Sequence, residues 1–157
     1  MGASSWEYVV PYQADLGAAL AALRLQMFEQ GNYLKPSFYG ANGGGLGVPD
    51  PSSLDDLHQE PYWEFMGTSG THSIIDVFAV VPVDSGPGEF GTIRLLSEGE
   101  YVELFGVARP GRSEYAPLAG SERLHDFITG GRWTGRAALL WSDGAPAEIV
   151  FWGYSGD

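Results

Sequence analysis

This chain predicts an α+β domain, a mostly antiparallel sheet with one longer helix packed on a face. Three observations carry that reading. Leucines and a methionine recur at helical spacing over residues 15–30, and aromatic and β-branched runs mark both ends of the chain. An Asp-Gly pair separates the last two of those runs, the composition of a two-residue hairpin turn. A chain of 157 residues fits one domain, 1–157.

The elements follow in order. Trp6 to Tyr12 (WEYVVPY) reads as a first strand, and Pro11 suits an edge because it has no N–H to donate. Leu16, Leu20, Leu23 and Met27 then line one helical face. Asp15 is placed to cap that helix and Gly31 to end it, and the alanines between keep its flank thin against a sheet. Residues 32–52 are rich in glycine and proline and sustain neither helix nor central strand. Their glycine run 43–45 completes neither the phosphate-loop nor the dinucleotide spacing, so a surface loop is expected.

Ser53 to Gln59 suits a short capped helix ended by Pro61. Ser73 to Pro82 (SIIDVFAVVP) is apolar on both alternating faces, which predicts a central strand with Asp76 as its polar intruder. Thr92 to Leu96 is a shorter strand candidate. Ser97 and Glu100 form a capping box for a helix of two turns closed by Gly106, and Ser121 to Thr129 predicts another short helix ended by Gly130 and Gly131. Trp133 to Ser142 and Ala147 to Tyr154 are the hairpin strands around Asp143-Gly144, with Trp141 and Trp152 expected to pack across them.

Composition limits the company this fold keeps. The content is 44% hydrophobic and 13% aromatic with 18% charged, which describes a packed globule, so the net charge of −12 belongs to a folded surface. That charge is uneven: residues 1–93 hold 11 acids and 2 bases, whereas residues 94–157 hold 9 acids and 6 bases. An acidic surface repels nucleic-acid backbones and anionic lipid and attracts basic proteins. With no cysteine, disulfides and thiolate chemistry are excluded. The opening MGASSWEYVVPYQ lacks the basic and apolar regions of a secretory leader, and no run approaches a membrane span, so a cytoplasmic location is the expectation.

Chemistry-bearing residues concentrate between His58 and Asp76, where His58, Glu60, Glu64, His72 and Asp76 occur in one stretch. These are metal or acid–base residue types, but no HExxH or other tight ligand spacing joins them. No metal and no cofactor is therefore assigned. A carboxylate inside an apolar strand must be hydrogen-bonded, paired or protonated, and Arg94, Arg132 and Arg136 are the expected partners of Asp76.

Two functions emerge. The first is a noncatalytic, inhibitor- or immunity-like module that masks a basic protein through Asp50, Asp55, Asp56, Glu60 and Glu64. The alternative is a small hydrolase-like enzyme using His72, Asp76 and Glu64.

Overall fold

The computed structural model describes residues 3–40, 47–86 and 88–156. Strand β1 (Ser5–Pro11) leads to helix α1 (Leu16–Glu29), then to single 3-10 turns at Pro36–Tyr39 and Asp55–His58 and to helix α2 (Trp63–Thr68). A 3-10 turn at Ile74–Asp76 precedes β2 (Ala79–Val81) and β3 (Thr92–Leu95). Helices α3 (Glu98–Phe105), α4 (Arg112–Tyr115) and α5 (Glu122–Asp126) come before β4 (Thr134–Ser142) and β5 (Ala145–Tyr154).

The α+β class holds, but the sheet is mixed. Its order is β1-β5-β4-β3-β2; the two pairings that involve β5 are antiparallel, and β4-β3 and β3-β2 are parallel. The β4-β3 pairing is parallel because α3, α4 and α5 lie between these two strands and carry the chain back across the sheet, which parallel neighbours require. The same helices cover the face opposite α1. Along β5, Ile149 and Phe151 pack with Leu20, Leu23 and Met27 of α1, while Val150 and Trp152 pack with Tyr101, Leu104 and Leu124. Both sheet faces are thus buried, which a single long helix could not achieve.

Local signals for most elements held. The Asp15 carboxylate accepts from the Ala18 N–H at 3.0 Å and starts α1. β1 is an edge strand. Asp143 and Gly144 both take positive φ, 53° and 79°, as a type I′ turn demands, and Ser142 pairs directly with Ala145. Trp141 lies opposite Pro146 and meets the Tyr101 ring, whereas Trp152 lies opposite Arg136, so the expected Trp141–Trp152 pair does not form.

The largest correction concerns Ser73–Pro82. Residues 74–76 turn as a 3-10 helix, and only Ala79–Val81 form a strand, at the sheet edge; the central strand is β4. The apolar run is genuine, but the loop packed at the end of the sheet buries Ile74, Ile75 and Val77 without pairing their backbones in the sheet. Burial on both sides looks the same in sequence whether a strand or a packed turn provides it.

Asp76 is also not paired with an arginine. Its Oδ1 accepts from the Thr71 N–H and Oγ1–H, both at 2.7 Å, and its Oδ2 from the Ser155 Oγ–H at 2.5 Å and the Gly156 N–H at 3.3 Å. Gly70 (φ 61°) makes this closure possible, because a side-chain carbon there would lie 2.5 Å from Oδ2.

Arg94 instead grips Glu100 bidentately, at 2.9 and 2.5 Å, within the predicted Ser97–Glu100 capping box. The Arg94 guanidinium holds the Glu100 carboxyl down at about 2 against an ordinary 4.5. A depressed folded value means that its contribution to stability is complete above pH 4.5 and is lost as pH falls toward 2. Glu100→Gln is expected to flatten the fall of folding free energy across that window, measured by urea titration at stepped pH.

Candidate functional site

The 3-10 turn at Asp55–His58, α2 and the segments leading into β2, β3 and β4 form a cavity of about 390 Å³ lined by His58, Trp63, Met66, Gly67, Phe78, Phe90 and Trp133. A size of this order lies within the roughly 300–1,000 Å³ of small-ligand pockets. The lining is almost wholly apolar and holds four aromatic side chains. Three of them, Trp63, Phe78 and Phe90, keep about half their surface exposed (50%, 48% and 58%), while Trp133 is buried.

Phe78, Phe90 and Trp133 meet in angled contacts that extend to His58. Phe90 meets Trp133 at 4.9 Å and Phe78 at 6.4 Å, and Phe78 meets His58 edge-on at 5.7 Å. Two of them rest on glycines that leave them room. A side-chain carbon at Gly91 would lie 2.2 Å from the Phe78 ring, and one at Gly156 would lie 2.2 Å from the Trp133 ring. Trp133 itself has φ 62°, a left-handed conformation rare for a bulky residue, at the point where the chain enters β4. The Gly156 that supports its ring is the residue bonded to Asp76. Asp76 therefore anchors the back wall of the cavity through the C-terminal segment.

His58 is the polar side chain in the lining. Arg24 of α1 donates from Nη2 to His58 Nε2 at 2.8 Å and to the Ile75 carbonyl at 3.3 Å. A guanidinium has only donors, so Nε2 must be the acceptor and the ring proton sits on Nδ1. Burial, and then the charge of Arg24, lower the His58 pKa, which keeps the imidazole neutral.

The residues singled out in sequence fall into three groups. Asp76 is fully buried and takes four donors from Thr71, Ser155 and Gly156; His72 (φ 54°) and Glu64 are exposed. Asp50 and Asp56 are engaged in local structure. Asp50 accepts from the N–H and Oγ–H of Ser37, while Asp56 accepts from Ser52 and Ser53, contacts that lower its pKa. Asp55, Glu60 and Glu64 are exposed, and among the described residues their carboxylates accept no hydrogen bond. Arg112 is held bidentately by Glu148 at 2.6 and 2.5 Å.

Sequence reasoning included His58 but not the rings around it. Phe78 reads in sequence as one face of a buried strand, yet it stands at the sheet edge and points to the cavity. Its signal was its place in an apolar run that extends past the end of the His58–Asp76 stretch; that of Phe90 was a lone aromatic between Glu89 and Gly91.

Among the described residues no three His, Asp or Glu side chains gather as a metal-binding group, and no helix is long and apolar enough to cross a membrane. Compared with protein-family models, with curated proteins and with solved structures, the chain matches none of them.

Proposed function

We propose that this protein is a noncatalytic binding module that docks a basic protein partner on the face formed by residues 50–64. One observation carries the reading: three exposed carboxylates without hydrogen-bonded partners among the described residues, Asp55, Glu60 and Glu64, share a short segment with the half-exposed Trp63 at the mouth of an aromatic cavity. Exposed acids steer a basic partner to the surface, and desolvated aromatics hold it there. The surroundings of Asp76 favour support over catalysis, since its carboxylate is sealed from solvent and both oxygens are occupied. Asp50 and Asp56 shape the same face by ordering their serine-rich turns.

Capture from lysate with the full chain, at about 0.05 M and about 0.5 M salt, tests this when compared with the variant Asp55→Asn/Glu60→Gln/Glu64→Gln. The expected result is a protein of basic composition recovered by the parent chain at low salt and bound about tenfold more weakly by the variant after reconstitution from purified components. If nothing recovered depends on both salt and these three carboxylates, the reading fails.

A further inference from the structure

We propose that the cavity around His58 is a binding site for a small, neutral, flat aromatic molecule that carries one hydrogen-bond-accepting oxygen. Its ring would lie among Trp63, Phe78, Phe90 and Trp133, and its oxygen would accept from His58 Nδ1–H. The argument is one of elimination by charge and then of fit.

A cation finds no carboxylate in the lining, and at His58 the positive charge of Arg24 outweighs the negative charge of Asp55. An anion would exchange its hydration for a single donor inside a chain of net charge −12. A neutral occupant meets neither penalty.

His58, Phe78, Phe90 and Trp133 form a chain of angled ring contacts that offers faces and edges to a further ring, a preference worth about 0.5–1.5 kcal/mol per pair beyond the area buried. His58 then fixes orientation. Arg24 holds Nε2 as the acceptor, so Nδ1 is a donor in the neutral ring, and among the described residues it has no hydrogen-bond partner. A donor on a ring that lines an apolar pocket selects ligands that bear an acceptor over those that do not.

The site is also built to hold its shape. Trp133 rests on Gly156, which Asp76 binds, and Phe78 rests on Gly91. Met66 and Gly67 of α2 line the cavity, and an added side-chain carbon at Gly67 would meet nothing within 4 Å. That position has room for a side chain at its first carbon.

Four probes read the chemistry in full-length protein: acetophenone, ethylbenzene, benzoate and phenyltrimethylammonium, followed by NMR shifts of the Trp133 and His58 side chains. Acetophenone is expected to saturate in the micromolar to millimolar range, with ethylbenzene, benzoate and phenyltrimethylammonium each at least about tenfold weaker. His58→Phe keeps a ring and removes the donor. It should weaken acetophenone about tenfold and leave ethylbenzene unchanged.

Gly67→Leu should abolish binding of both while leaving the urea midpoint at or above that of the parent. Unsaturable shifts with acetophenone, equal affinity for the charged probes, or undiminished binding to Gly67→Leu would each overturn the proposal. Asp55→Asn/Glu60→Gln/Glu64→Gln should bind acetophenone as the parent does, so this inference and the basic-partner reading stand or fall separately.

Discussion

Asp76→Ala is expected to destabilise the fold by about 3–5 kcal/mol and to loosen the Trp133 wall of the cavity. Four donors converge on this carboxylate in a fully buried setting: the N–H and hydroxyl of Thr71, the hydroxyl of Ser155 and the N–H of Gly156. Burial pushes its pKa up while those four donors pull it back, so the group sits between two opposing demands. Alanine removes the acceptor and leaves the donors facing one another in a dry space.

Asp76→Asn is the milder change, since the amide oxygen can keep Thr71 while the Ser155 hydroxyl turns to accept. Urea unfolding measures the cost, and the Trp133 indole N–H resonance reports the wall. An alanine variant within about 1 kcal/mol of the parent would show that this network is not what ties the C-terminal segment down.

The second large effect joins Trp6 and Gly153. Trp6 is 4% exposed, and its ring lies where β5 passes Gly153 and β4 passes Gly135; these two glycines are register partners. A side-chain carbon at Gly153 would lie 2.2 Å from Trp6, and one at Gly135 would lie 2.8 Å from it. Trp6→Ala should cost about 3–5 kcal/mol by cavity formation, and Gly153→Ala about 1–3 kcal/mol by overpacking.

Their double mutant should lose about 1–3 kcal/mol less than the two single losses together, because removing the ring opens the space that the new methyl group needs. Some cost remains, since the Thr134 carbonyl would still lie 2.6 Å away. A strictly additive cycle, read from urea midpoints and slopes, would refute the idea that the two glycines exist to seat the ring.

The elements that the sequence revealed most clearly are those whose cause is local. Asp15 with its leucine ladder, Ser97 with Glu100, and Asp143 with Gly144 each carry cap or turn chemistry within a few residues, and each formed where its residues imply. Trp6 with its β-branched followers formed the edge strand that Pro11 permits. Ile74, Ile75 and Val77 were misleading because burial has no periodicity of its own. An apolar run packed under a loop looks like a central strand until its backbone partners are known.

The site was legible in the same uneven way. His58 and Trp63 belong to the stretch whose composition drew attention, but Phe78, Phe90 and Trp133 come from separate segments, and only the fold brings them together.

The acidity of the chain, its helix caps, its hairpin turn and its lack of thiol chemistry were determined by sequence alone, since each depends on residue identity or on neighbours along the chain. Tertiary structure alone decided that half the sheet runs parallel, that Asp76 binds the C-terminal segment rather than an arginine, and that rings from α2 and the entrances to β2, β3 and β4 surround one histidine. The reason is separation: Asp76 meets Ser155 across 79 residues, and Arg24 meets His58 across 34. Such pairings depend on how sheet and helices close around both faces of the core, a choice that no local pattern encodes.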